Sequence, residues 1–141
     1  MIAVTNDRPV PLSDDHSAAY WEAAARGQLL VQRCDRCGSH QFYPRRHCTT
    51  CWAADPPWIT CSGRGTLHTF SVVHRATNPE FAPDCPYVFA IVELAEGPRI
   101  STRIVGVEPA DLACGAAVVL SPPALDGEHA LPTFTLARGR P

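Results

Sequence analysis

Two Cys-x-x-Cys pairs, Cys34-Asp-Arg-Cys37 and Cys48-Thr-Thr-Cys51, constrain this chain more than any other feature. A two-residue gap lets both sulfurs of a tight turn reach one ion, while backbone N–H groups after the first cysteine point at its thiolate. Two such turns complete a tetrahedral four-sulfur site. The gap between the pairs is shorter than the common ribbon spacing of about 15–20 residues, but it still allows a strand out and back. Gly38 follows Cys37, where the chain must turn sharply and glycine carries no steric penalty. Four thiolates leave no open coordination position, so the ion is expected to be structural rather than catalytic. Iron forms the same geometry. However, Cys48-Thr-Thr-Cys51-Trp52 lacks the proline and glycine usual in rubredoxin, so zinc is expected. With four sulfurs on the metal, His40 and His47 read as surface imidazoles.

The rest of the 141 residues suits one compact domain or a small module attached to a modest one. Apolar residues make up 45% and charged residues 18%, a globular rather than a disordered balance. No apolar run approaches the roughly 18 residues of a membrane span. Asn6, Asp7 and Arg8, followed by Pro9 and Pro11, do not form the apolar core of a signal peptide, so a cytoplasmic location is expected. A cytoplasmic chain should not hold disulfides; Cys61, Cys85 and Cys114 then read as buried small hydrophobes. Net charge is -2 and the pI is about 6.3, which provides no global positive field for nucleic acid. All 12 basic residues are arginine, and Arg33, Arg36, Arg45 and Arg46 fall close to the cysteines. A local basic patch therefore remains open to phosphate or carboxylate.

Fourteen prolines and nine glycines favour short strands and turns. One helix is expected over residues 14–26, with Ser13 as N-cap, Asp14 and Asp15 in the first turn and Gly27 as the left-handed stop. Its Tyr20 and Trp21 diverge by about 100° and cannot both face one core. Either one packs internally and the other is exposed, or the helix docks elsewhere. Leu29–Gln32 and Gln41–Tyr43 can form strands of the metal module, and Ala53–Asp55 with Pro56-Pro57 reads as a linker. Strands are then expected at Thr66–Ala76, Tyr87–Leu94, Arg99–Val107, Ala116–Ser121 and Thr133–Arg138. Thr77–Pro86 reads as an irregular loop and Ala110–Leu112 as one helical turn. About five strands fit a small closed barrel of the OB type better than a sandwich, which wants about seven. The expected architecture is mainly β, with arm and helix at 1–27, zinc ribbon at 28–56 and a five-stranded OB-fold at 57–141.

His68 and His74 have even spacing on one strand, hence one face; they could act as a pair, but read more simply as ordinary strand residues. No nucleophile elbow, phosphate loop or dinucleotide fingerprint accompanies them. On its residues alone the chain reads as a binding or interaction protein.

The order of parts resembles a family long catalogued as a domain of unknown function, an acyl-CoA-associated OB-fold with a rubredoxin-like zinc ribbon. The resemblance covers residues 13–121. It is carried by Tyr20-Trp21-Glu22, Gly27-Gln28-Leu29, Cys34-Asp-Arg-Cys37-Gly38, Phe42-Tyr43-Pro44-Arg45 and Cys48-Thr-Thr-Cys51. It continues through Gly63-Arg64-Gly65-Thr66, Pro86-Tyr87, Glu93-Leu94 and Gly97-Pro98-Arg99. It implies an accessory subunit in a hetero-oligomer with a thiolase or a lipid-transfer-protein-like aldolase. Such complexes make or break carbon–carbon bonds of acyl-CoA thioesters, steroid side chains among them. The resemblance further implies that the partner holds the catalytic residues while the OB-fold helps bind CoA. Arg45 and Arg46 on the ribbon, and Arg64, Arg75, Arg99 and Arg103 on the barrel, are the candidates for its phosphates. Two other functions compete with this one. A nucleic-acid module would stack bases on Phe70, Tyr87 and Phe89, against which the acidic pI argues. An electron carrier would hold iron at the four sulfurs.

Overall fold

The computed structural model describes residues 8–126 and 129–137. The first seven residues of the expected arm, and Arg138 at the expected end of the last strand, lie outside them. The helix α1 spans Ala18–Ala25, four residues shorter at its start than its acidic sequence signal implies. Asp14, not Ser13, closes the entry turn. Its Oδ1 accepts the N–H groups of His16 (3.0 Å) and Ser17 (2.8 Å), and its carbonyl accepts that of Ala18. This side-chain competition for backbone donors holds the first turn out of the helix. At the other end Gly27 takes φ 78°, and the Gln28 N–H reaches back to the Ala23 carbonyl. Tyr20 is buried. Trp21 meets it edge-on at 5.0 Å and stays half-buried on the neighbouring surface.

Three short strands follow in the order β2-β1-β3, all antiparallel: β1 Leu30–Arg33, β2 His40–Gln41 and β3 Trp58–Thr60. The strand after the double proline therefore pairs with the first strand of the cysteine module, Val31 opposite Ile59. The chain stays close to that module on leaving the linker, and Pro57 accepts the Arg33 N–H.

The barrel uses β4 Arg64–Val73, β5 Tyr87–Leu94, β6 Arg99–Ile104, β7 Ala117–Leu120 and β10 Phe134–Leu136, closed in the order β10-β6-β5-β4-β7. Strand β5 shows why it closes: Val88, Ala90, Val92 and Leu94 alternate inward and are all buried. Gly65 lets β4 cross tightly, because a Cβ there would meet the Glu93 carbonyl and Val92 at 2.7 Å. Phe134 seals the seam, opposite Ile104 on one side and Leu120 on the other, and is fully buried. The loop expected after β4 is ordered as a 3-10 turn, Pro79–Asp84, begun when Asn78 Oδ1 accepts the Glu80 N–H. A hairpin that the sequence did not announce, β8 Ala124–Asp126 and β9 His129–Leu131, packs its second strand against α1. The core is one cluster running from Tyr20, Leu29 and Val31 into the barrel residues Leu67, Val92 and Val118.

Several expectations change. A bulge at His68 interrupts the alternation, and β4 ends at Val73, so His68 and His74 are separate exposed residues rather than a pair. Of the three lone cysteines only Cys61 is buried. Cys85 is half-buried, and Cys114 is exposed beside Gly115 in a turn before β7. Burial and the Glu96 carboxylate push the Cys61 thiol up to about 12, which leaves it unreactive. No helix among the described residues is long and apolar enough to cross a membrane.

Candidate functional site

The two cysteine turns are built alike. In the first, Gly38 donates its N–H to the Cys34 carbonyl at 2.8 Å; in the second, Trp52 donates to Cys48 at 3.0 Å. Each of these residues takes a left-handed φ, 76° for Gly38 and 64° for Trp52. The turns face one another, so that all four Sγ atoms lie within 4.8 Å of one another. Cys34 and Cys51 approach to 3.6 Å, as do Cys37 and Cys48. Zinc–sulfur bonds of about 2.3 Å place tetrahedral sulfurs about 3.8 Å apart, so the quartet fits zinc with no position left open. The thiols are not shifted alike: burial and the neighbouring sulfurs push Cys51 up to about 11, while two others are lowered. The Ser39 hydroxyl and N–H pull Cys37 down to about 6, and the Cys51 and Thr50 amides hold Cys48 below the usual thiol range.

The metal turns also set the loop between them, through a feature that sequence reading missed. Gln32 and Gln41 are buried, and the amide of Gln41 donates to Gln32 Oε1 at 2.7 Å. Gln32 then grips the backbone of Arg45 from both sides, accepting its N–H at 2.8 Å and donating to its carbonyl at 3.0 Å. Gln41 accepts the Thr49 N–H and donates to the His47 carbonyl. Buried amides must be satisfied, and here satisfying them fixes residues 45–49 against the ribbon.

That loop forms one wall of a groove of about 900 Å³, enclosed also by the chain before α1, by α1 itself and by one face of the barrel. Its floor is aromatic and aliphatic, including Trp21, Phe42, Tyr43, Phe89, Ile100 and Val105. Phe42 and Tyr43 lie 4.4 Å apart between centroids, and the Tyr43 hydroxyl reaches Ser101 across the groove at 3.5 Å. Among the described residues, four of the six large hydrophobics left exposed, Leu12, Tyr43, Phe89 and Val105, line this one groove. Cations stand at its edge. Arg46 donates Nε to His16 Nε2 at 2.5 Å, and Arg8 and Arg103 both bond Asp84, at 2.8 and 3.0 Å. The Arg8 contact, with Arg103 beside it, holds the Asp84 carboxyl below the usual carboxylate range.

The structure thus brings together Arg45, Arg46 and Arg103 of the six predicted arginines and adds Arg8, which the sequence did not single out. The others lie elsewhere. Arg64 lines a separate groove of about 280 Å³, Arg99 pairs with Glu93 at 3.0 Å, and Arg75 is exposed beyond β4. The three aromatics considered for base stacking do not make a platform. Phe70 packs on the core, Tyr87 is covered by the Arg103 guanidinium at 3.8 Å, and Phe89 alone lines the groove.

Residues 21–57 match the ChsH2, rubredoxin-like zinc ribbon domain, and residues 58–121 match the ChsH2, C-terminal OB-fold domain. A solved "Ltp2-ChsH2(DUF35) aldolase" contains a chain superimposing with TM-score 0.80 at 34% identity, over 90% of this chain and 98% of that one. A Thermomonospora curvata protein named "Probable enoyl-CoA hydratase alpha subunit" is 35% identical over 127 residues, 90% of this chain and 39% of its own length. A DUF35 domain-containing scaffold protein of Methanocaldococcus jannaschii is 41% identical over 64% of each chain. The benzoylsuccinyl-CoA thiolase subunit BbsA of Geobacter metallireducens is 31% identical over 55% of this chain and 51% of its own. The chain therefore spans between about a third and two thirds of these curated relatives. Zinc ribbon, closed barrel and these matches agree: the chain belongs to the DUF35 family, in its ChsH2-like form with a rubredoxin-like zinc ribbon ahead of an OB-fold.

Proposed function

We propose that the chain is a non-catalytic accessory subunit of a thiolase-superfamily enzyme, of thiolase or lipid-transfer-protein-like aldolase type, acting on acyl-CoA thioesters. The groove carries this reading. A CoA thioester is a flat adenine and several phosphates joined to an apolar acyl chain, and the groove offers an aromatic floor with arginines at its edge. Arginine binds phosphate through paired N–H donors, which a lysine cannot imitate. The carboxylates and the histidine in and beside the groove are already engaged. Asp14 accepts backbone donors at the start of α1, Asp84 holds two arginines, and His16 accepts from Arg46. In this reading the chain's residues bind and orient the thioester while the partner performs the chemistry.

The relatives named as aldolase, hydratase and thiolase subunits support an acyl-CoA assembly. A Mycobacterium tuberculosis relative named "3-oxo-4,17-pregnadiene-20-carboxyl-CoA hydratase alpha subunit", 32% identical over 77% of this chain and 34% of its own length, supports steroid side chains as one class of acyl group. We place the division of labour in three parts: arm and helix (1–27), ribbon (28–56) and barrel (57–141), each supplying a wall of the groove. The need for four reduced thiols favours the cytoplasm as its location.

Calorimetric titration of CoA into the zinc-loaded chain tests the groove. Charge-assisted hydrogen bonds contribute about 1.5–3 kcal/mol each, so the Arg45→Gln/Arg46→Gln double variant should bind CoA at least about tenfold more weakly. Arg75→Gln, outside the groove, should bind as the parent does. Equal affinities in all three proteins, or no binding by the parent, would refute a CoA role for this surface.

A further inference from the structure

Arg46 is held from two sides by different parts of the fold. Its carbonyl accepts the Asp55 N–H, and the residue before it, Arg45, is gripped by the buried Gln32 amide, so the ribbon fixes its backbone. The side chain crosses to the turn before α1, 30 positions earlier in the chain, where its Nε donates to His16 Nε2. His16 is itself placed by that turn, with its N–H bonded to Asp14 Oδ1 at 3.0 Å. The Asp14 carboxylate stays with the turn. It accepts the Ser17 hydroxyl and N–H, both at 2.8 Å, and these bonds hold it below the usual carboxylate range. Among the described residues, the partner of the Arg46 guanidinium is thus an imidazole and not a carboxylate. His16, Arg45 and Arg46 all line the large groove.

A ring nitrogen that accepts a hydrogen bond carries no proton, so His16 meets Arg46 as a neutral imidazole with its proton on Nδ1. A neutral acceptor orients a guanidinium and leaves its charge in place, whereas a carboxylate orients and neutralises it. The contact also engages only Nε. The two terminal amino groups remain, and they form the end-on pair of parallel donors that two oxygens of a phosphate accept. We propose that His16 is a positioning residue for phosphate recognition: it aims Arg46 end-on into the groove, with its charge intact, at the phosphates of the ligand. The inference rests on reading the groove as a site for CoA thioesters. It adds a residue that acts on the ligand only through Arg46, yet sets how firmly the phosphates are held.

The test titrates CoA and inorganic pyrophosphate into the zinc-loaded full chain and into His16→Ala, His16→Gln and His16→Glu. Ordering one long side chain on binding weakens affinity by about two- to tenfold, so His16→Ala should bind both probes about fivefold more weakly. His16→Gln restores a neutral acceptor and should recover affinity to within about twofold of the parent. His16→Glu restores a bond to Arg46 but neutralises it, so it should bind no better than His16→Ala. Parent-like binding by His16→Glu would overturn the proposal, because His16 would then only tie the helix to the ribbon. So would a His16→Gln protein as weak as His16→Ala. If CoA binds the parent and His16→Ala alike, the CoA reading stands and the positioning role falls. If pyrophosphate follows the expected order while CoA binds none of these proteins, the positioning role stands and the CoA reading falls. Binding of neither probe to the parent would overturn both.

Discussion

Replacing Cys48 with serine is expected to release the zinc and unfold the ribbon. Structural zinc in small four-ligand sites contributes about 10–16 kcal/mol at neutral pH, as much as the whole stability of an ordinary domain. The residues that depend on it are identifiable. Cys48 is buried, and the loop gripped by Gln32 and Gln41 hangs between the two cysteine turns. Without the metal that loop loses its far anchor, and with it the Tyr43, Arg45 and Arg46 wall of the groove. CoA binding and partner association should therefore fail before the barrel melts. Acid should act in the same direction, because protons compete with zinc for the thiolates, so retention of the metal falls as pH falls. Elemental analysis should give one zinc per parent chain, in a colourless protein, and less than a tenth of that in Cys48→Ser. Hydrogen exchange should show lost protection in β1–β3 first. A metal-free chain with unchanged exchange in these strands would contradict the assignment, and an iron-coloured parent would replace zinc with the electron-carrier alternative.

The second large effect is expected at Phe134. This side chain is fully buried and sits where β10 closes the barrel against both β6 and β7. The strand that carries it is only three residues long, so little else holds the seam. Truncating a buried phenylalanine typically costs about 3–5 kcal/mol, through lost transfer energy and the cavity left behind. For a chain of this size Phe134→Ala should lower the melting temperature by about 10 °C or more. Phe89→Ala is the matched control. At 44% exposure on the groove face it should change stability by no more than about 0.5 kcal/mol. A Phe134→Ala loss below about 1 kcal/mol would mean that the barrel does not depend on this closure.

The metal centre was legible because its geometry is local. A Cys-x-x-Cys turn fixes its own sulfurs, and two turns define the ion wherever the chain brings them. The barrel strands were legible for a related reason: alternation in Tyr87–Leu94 marks one face, and that strand runs over the predicted residues. The helix start differs from the expected Ser13 cap because several polar residues compete there, and it is Asp14 that takes the backbone donors in the fold. The β8–β9 hairpin has three-residue strands and prolines on each side, too little pattern to signal a strand.

The groove was the least legible feature. Arg45, Arg46 and Arg103 were flagged because arginine suits phosphate, but so were Arg64, Arg75 and Arg99, which the fold sends elsewhere. Arg8 was passed over because a residue in a proline-bounded arm carries no periodic signal. Its role depends on Asp84, 76 positions away. The buried Gln32–Gln41 pair was invisible for the same reason, since nothing in a sequence marks which amides will meet.

As proposed, this chain works as the non-catalytic partner in an acyl-CoA enzyme of the thiolase or aldolase type. The most direct measurement is affinity purification of the tagged, zinc-loaded chain from its own cells, followed by mass spectrometry and an acyl-CoA turnover assay of the purified assembly. The account predicts a thiolase-superfamily polypeptide in stoichiometric amount, with turnover by the assembly and none by this chain alone. A chain that elutes free of any such polypeptide, or that turns over acyl-CoA thioesters by itself, would contradict it.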